Sequence, residues 1–328
     1  MSQHWQAPPW AAAIPPGATK HRCEAARLLA RLGLRRATQH RMLGTEMNAP
    51  APKQAAVSRG LPADALGLGL RLPHYPYLFE HWPEFGYFEV ISENFLGDAE
   101  PPARHLARIR ERYSVVMHGV GLNLLSHEPL SDAYLDALCR LADKLDAPFV
   151  SDHLCWTGSH GYNHHDLLPV PYVPELIELA AERAHYVQQR LGRPFGLENL
   201  SSYVSFSESS MSEWEFYTRV VQEAGCHYML DINNIYVSSQ NHGFDAHSYL
   251  RAIDYARVLQ VHLAGHSREP DGTIVDTHDR PVCDEVWQLY AAAWKLGGPF
   301  PTLLEWDSAI PAMPVALAEL ARASTVRG

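Results

Sequence analysis

Tyr228-Met229-Leu230-Asp231-Ile232-Asn233-Asn234 and Leu259-Gln260-Val261-His262 are the stretches on which the fold turns. Each is a largely apolar run of strand length that stops at a side chain able to bind a metal. Six more runs of this kind surround them. Gly67–Arg71 leads to His74, Tyr87–Ile91 to Glu93, and Val115–Met117 to His118. Phe149–Ser151 leads to Asp152 and His153, Phe195–Leu197 to Glu198, and Thr302–Leu304 to Glu305. One polar residue at a strand end is ordinary. A series of eight implies ends that converge on shared chemistry.

Helix-period segments lie between the runs: Pro101–Arg112, Asp132–Leu145, Pro174–Leu191, Ser212–Ala224, Ala246–Tyr255, Val282–Leu296 and Pro314–Ala323. Ser131 before Asp132, and Ser210 or Ser212 before the Glu213–Glu215 turn, are N-cap signals. Ala180, Ala181, Ala184, Val187 and Leu191 keep an apolar stripe at helical spacing. Pro76 and Pro83 limit the first connection to a turn or two. Strand–helix alternation sustained in this way predicts a (β/α)8 TIM barrel. A doubly wound open sheet would place a Gly-rich phosphate turn after an early strand, and neither GxGxxG nor GxxxxGKS occurs. In a barrel every strand C-terminus points to one face, which turns a list of polar strand ends into a single pocket.

The bulk properties set limits on partners and compartment. The chain has 328 residues, 46% of them hydrophobic and 20% charged, as in an ordinary globular protein. A net charge of −10 argues against a nucleic-acid surface and against an anionic membrane. Five scattered Cys with no CxxC suit a reducing compartment and neither a disulfide framework nor a zinc finger. With no run long enough to span a bilayer and no signal-peptide pattern, the expectation is cytoplasmic. Residues 1–60 read differently, with Pro clusters and a basic amphipathic stretch, Arg22–Arg41. They are expected to be a poorly ordered or over-called extension, ahead of one catalytic domain at 61–328.

Imidazole, carboxylate and amide oxygen suit hard-to-borderline metals such as Fe, Mn and Zn. The densest clusters are Asp231–Asn234, His262–His266, Asp276-Thr277-His278 and Glu305-Trp306-Asp307. Each residue also has a bland reading. His74 alone fits a rim hydrogen bond, and Asn233 or Asn234 fits a left-handed turn. Glu198 could pair with Arg193, and Ser151-Asp152 could cap a turn. Burying so many carboxylates without cations would cost several kcal/mol per charge, which favours a metal centre. His74, His118, Glu198, Asp231, Asn234, His262, Asp276, His278 and Glu305 exceed the three or four ligands of a mononuclear site. Such a number implies two or three ions with bridging carboxylates.

The segments HGVGLNL, SDHLCW, LLPVPY, LENLSSY, LDINNIYVSS, HLAGH, DTH and LLEWD, in this order, resemble the DUF692 (UPF0276) family. The resemblance spans about residues 66–322 and implies a multinuclear non-haem iron enzyme that uses O2 to modify cysteines in ribosomally made precursor peptides. It carries the nine residues above over as metal ligands, assigns Asp152, His153 and Glu93 to supporting or substrate-facing roles, and makes Asp307 a proton-transfer group. The full motif set, with its start "LPHYPYLFE", looks most similar to the branch that matures copper-binding bufferin peptides. Two or three iron ions, O2 as co-substrate, a Cys-containing precursor peptide and a small peptide-presenting partner protein are the implied company. The alternative is a divalent-metal-dependent barrel hydrolase or isomerase, which would carry Zn or Mn. A non-catalytic metal store or scaffold would not need nine convergent ligands.

Overall fold

The computed structural model describes residues 60–97, 100–159 and 162–327. The expected N-terminal extension and its stretch Arg22–Arg41 lie outside them, Gly60 excepted. Among the described residues no helix is long and apolar enough to cross a membrane.

Eight parallel strands close into a barrel: β1 (Leu66–Gly69), β2 (Tyr87–Ile91), β3 (Ser114–Gly119), β4 (Val150–His153), β7 (Phe195–Glu198), β8 (His227–Asp231), β9 (Val258–Leu263) and β12 (Thr302–Leu304). They run round the ring in that order, with β12 returning to pair with β1. The remaining strands form two hairpins above the strand ends, β5 (Trp156–Ser159) with β6 (Tyr162–Leu168) and β10 (Ser267–Arg268) with β11 (Ile274–Val275). The fold is the (β/α)8 barrel that the alternating runs predict.

The helices follow the apolar stripes closely. Asp132–Leu145 starts at Ser131, whose hydroxyl accepts from Tyr134 N–H, and Glu213–Ala224 starts at Ser212 in the same way. Pro174–Leu191 ends at Gly192, whose φ of 61° closes the last turn. Two features depart from the sequence reading. The helix expected over Ala246–Tyr255 stops at Ala252, because Ile253 is extended and a short 3-10 turn, Tyr255–Arg257, follows. A helix at Ile232–His242, which the sequence pattern does not announce, begins directly at the end of β8. Asp231 caps it by accepting from Asn234 N–H at 2.6 Å, so a candidate ligand is also an N-cap.

The barrel interior divides into an apolar floor and a polar end. Leu61, Ala65, Tyr87, Val116, Phe149, Leu259 and Leu303 pack together as the floor. Toward the C-terminal ends of the barrel strands, and just past β12, stand Glu89, His118, Ser151, Glu198, Asp231, Gln260, His262 and Glu305, all buried. A register shift between β8 and β9 at Tyr228/Met229 lets consecutive residues of β9 serve both levels. Leu259 joins the floor, while Gln260 donates to Glu89 Oε2 at 2.5 Å. Gly67 on β1 leaves room for the neighbouring Tyr87 ring, since a Cβ there would lie 2.5 Å from it.

Gly67→Ala is expected to destabilise the fold by about 1–3 kcal/mol through overpacking. Gly97→Ala, where a Cβ meets nothing within 4 Å among the described residues, should change stability by less than about 0.5 kcal/mol. Paired denaturant titrations of the two variants check the contrast.

Candidate metal centre

Parallel register brings the polar strand ends to one height. His153 of β4 lies beside Glu198 of β7, and Asp231 of β8 beside His262 of β9. Strand parity decides which side chains look inward. Phe149, Ser151 and His153 share the interior face of β4, and Asp152 between them turns away. Its two oxygens accept from the backbone N–H of Leu122, at 3.1 Å, and of His153, at 2.7 Å.

Among the described residues, four sets of three buried side chains place ligand atoms within 4.8 Å of one another: His118/His153/Glu198, Glu198/Asp231/His262, Glu89/His262/Glu305 and Asp231/His278/Glu305. Six of the nine residues expected as ligands occur in at least one of these sets: His118, Glu198, Asp231, His262, His278 and Glu305. Asn234 adjoins them, with Nδ2 donating to Glu198 Oε1 at 3.2 Å. Asp276 lies at the edge, its Oδ1 2.6 Å from His278 Nε2. His74 stands apart from the four sets, its Nε2 donating to the Pro311 carbonyl at 3.0 Å. The structure adds His153, expected in a supporting role, and Glu89, which the strand-end scan passes over.

The hydrogen bonds fix which nitrogen of each ring carries the proton. Ser151 donates to the Met117 carbonyl, so it accepts from His118 Nδ1–H at 2.9 Å and leaves a lone pair on Nε2. His153 donates from Nδ1 to the Gly119 carbonyl at 3.0 Å, and His278 from Nδ1 to Asp307 Oδ2 at 2.9 Å. This outer-atom tether is the usual way a metal-binding imidazole is oriented. The inner atoms are left over. Glu198 Oε2, Asp231 Oδ2, Asn234 Oδ1, His262 Nδ1 and His278 Nε2 are buried and accept or donate no hydrogen bond among the described residues. His118 and His153 Nε2 both approach Glu198 Oε2 at 3.0 Å, but not along a hydrogen-bonding direction. Converging, unsatisfied nitrogen and oxygen atoms in a buried pocket are the donor set of a divalent metal.

His278 reaches this point through a close backbone approach. Its N–H donates to the Gly265 carbonyl at 2.9 Å, and its own carbonyl accepts from Asp307 N–H at 2.9 Å. A Cβ on Gly265 would strike the Arg280 carbonyl, so only glycine lets the chain return here. Arg71 closes the rim, donating to Glu305 Oε1 at 3.2 Å, to Asp307 Oδ1 at 2.5 Å and to the Trp306 carbonyl at 2.7 Å.

Without a metal, protons and ion pairs balance the charge. Burial opposes ionisation of Glu198, yet His153 and His118 hold its carboxyl well below the usual range. Burial is likewise outweighed at Glu305, by His278, His262 and Arg71. Burial disfavours the charged form of His153, but Glu198 and then Asp152 push it up to about 9. His262 and His278 are held well above the usual imidazole value in the same manner, against burial, by Glu89 and Glu305 and by Asp276 and Glu305. Burial, with Glu198 and Asp276 next, drives Asp231 well above the carboxylate range. Burial and the nearby Glu93 push Asp152 up to about 7. The Cys155 thiol, buried beside Asp152, is pushed far up and stays protonated, in keeping with the absence of any sulfur in the four sets.

A (β/α)8 barrel with four overlapping sets of buried His, Asp and Glu at its C-terminal rim has the donors to hold several metal ions in an enzyme active site. Residues 65–327 match the family described as RiPP (ribosomally synthesised and post-translationally modified peptide) precursor modification enzyme MbnB/TglH/ChrH, and the chain belongs to that family. A UPF0276 protein of Caulobacter vibrioides (strain NA1000 / CB15N) is 47% identical over 260 residues, covering 79% of this chain and 92% of that one. One from Acaryochloris marina is 44% identical, covering 79% and 93%. Among solved structures, a xylose isomerase-like TIM barrel protein from Mycobacterium smegmatis in complex with magnesium superposes with a TM-score of 0.54. At 12% identity, over 83% of this chain and 98% of that one, it is a likeness of fold alone.

The metal-free protein is expected to lose stability as pH rises from about 6.5 to 9. His153, raised from 6.5 to about 9, stabilises the fold below its unfolded value and forfeits that contribution through 9. Asp152, raised from 3.8 to about 7, acts in the same direction at lower pH, since the fold favours its neutral form. Glu198 and Glu305, held below 4.5, oppose this only in acid. Chemical denaturation in a chelator at pH 6 and pH 9 checks the slope, and His153→Gln should flatten it.

Proposed function

We propose that this protein is an iron- and O2-dependent enzyme that oxidatively modifies cysteine residues in a ribosomally synthesised precursor peptide. The proposal includes residues 61–328 as the catalytic unit, a cytoplasmic setting, and a small partner protein that presents the peptide. Membership of a RiPP precursor modification family supplies the enzymatic character and the peptide. The observation that carries the rest is the sharing of donors. Glu198, Asp231, His262 and Glu305 each belong to two of the four ligand sets, so ions held in adjacent sets would share carboxylates. That arrangement favours two or three ions over one, and nitrogen–oxygen donors without sulfur favour iron over softer metals.

His118, His153, Glu198, Asp231, His262, His278 and Glu305 would hold the metal, with Glu89 and Asn234 beside them and His74 and Asp276 at the margins. Bound iron would supply the coordination positions and the redox capacity for O2 chemistry at a cysteine sulfur. The chain's own part is orientation and proton control. Ser151, the Gly119 carbonyl and Asp307 each hold an imidazole by its outer nitrogen, so that the inner lone pair faces the centre. Asp307 has a side chain 43% exposed and touches both Arg71 and His278, which lets it pass protons between the rim and water. Asp152 ties the backbone of the loop after β3, at Leu122, to that of His153.

Loading with Fe(II) under anaerobic conditions, followed by O2 and a Cys-containing precursor peptide, should give a mass change on the peptide that depends on both iron and O2. An iron-loaded protein that leaves every such peptide unchanged, or a purified protein that carries only Zn or Mn and is active with it, would overturn the reading. Asp307→Asn should weaken iron binding by about 10–100-fold, by loosening His278, without unfolding the barrel. Metal analysis after dialysis against graded chelator, together with circular dichroism, measures this.

A further inference from the structure

Beyond the ligand sets, a row of close polar contacts leads outward from His278 along the rim. His278 Nε2 lies 2.6 Å from Asp276 Oδ1, which accepts from Asn233 Nδ2 at 2.7 Å. Because the carboxylate takes the amide's donor end, Asn233 presents its oxygen to the other side. That oxygen lies 2.8 Å from His266 Nδ1. An amide oxygen only accepts, so His266 carries its proton on Nδ1. Its Nε2 then bears a lone pair and has no hydrogen-bond partner among the described residues. The ring is half-buried, rests against Tyr236 at a centroid distance of 5.1 Å, and follows the C-terminal end of β9. A fixed tautomer, a supporting aromatic face and an uncommitted nitrogen at the end of a row that starts at His278 are the parts of a positioned base.

We propose that His266 Nε2 accepts the thiol proton of the substrate cysteine as its sulfur enters the centre, and that Asn233 is the positioning residue that fixes the ring for this. The inference rests on the cysteine-peptide reading above. In the step, the S–H bond breaks and an N–H bond forms at Nε2, leaving a thiolate and an imidazolium, with no change of oxidation state. The half-exposed ring then returns the proton to water. A thiol near 8.5 yields its proton to a neutral imidazole only where the thiolate is stabilised, as beside a cationic centre. The groups facing the ring are consistent with a neutral resting base. Burial lowers its proton affinity, and Arg268 and Arg280 act in the same sense against Asp276 and Glu285.

Two measurements test this. In the metal-free protein, nitrogen-resolved NMR should show His266 as the Nδ1–H tautomer, titrating below 6.5, and Asn233→Ala should release that tautomer. The opposite tautomer, or titration above neutrality, would overturn the assignment. In the iron-loaded protein, His266→Gln should lower kcat/KM by about 100-fold to 10,000-fold and remove the acid limb of its pH profile, with bound iron unchanged. Wild-type kcat/KM, or a retained acid limb, in that variant would refute the role of His266 while leaving the oxidase reading intact. Absence of any product from iron-loaded wild-type protein would instead refute the oxidase reading, and the proton acceptor with it.

Discussion

Negative charge removed from water is the constraint that organises the polar end of this barrel. Glu198, Asp231 and Glu305 are 2%, 0% and 6% exposed, and an uncompensated carboxylate at such depth costs several kcal/mol. The protein meets Glu198 with two imidazoles and Glu305 with two imidazoles and Arg71. Asp231 receives no comparable partner. One oxygen caps a helix, the other is unsatisfied, and burial keeps the group in its neutral form. A cation between these side chains would reverse that balance, since its charge favours deprotonated carboxylates and neutral imidazoles together.

The outer supports explain why the arrangement keeps its shape without such a cation. A serine hydroxyl, a backbone carbonyl and a carboxylate tie three of the imidazoles by the nitrogen that faces away from the centre. These tethers come from strand ends and tight loops, where backbone geometry is set by the barrel. The Gly265–His278 contact extends the same principle to a residue that no strand carries.

Much of the fold was legible in the sequence because strands and helices obey different periods, and the barrel follows from their alternation. Residues hidden from that scan have physical reasons for being so. Glu89 and Gln260 sit inside apolar strands, at Tyr87–Ile91 and Val258–Leu263, where attention to strand ends passes over them. Inward-facing parity, counted from Tyr87, would have found Glu89. The same parity separates His153, which faces the centre, from Asp152, which does not. The helix at Ile232–His242 was obscured because its first residues continue an apolar strand and its cap is itself a polar strand end. His266 and Asn233 lay within quoted motifs, but their relation to Asp276 needs the return of the chain through the β10–β11 hairpin.

The packed floor of Tyr87, Phe149, Leu259 and Leu303 makes the barrel a blind alley. No chain can thread through it from one end to the other. Whatever reaches the buried donors arrives over the rim and leaves by the same doorway. A long peptide can therefore offer only a bend or an end, with the reacting side chain leading and its flanks lying outside. Repeated modification of one peptide would then require withdrawal and re-entry for each modified residue, so order of processing becomes a property of the rim and not of the chamber.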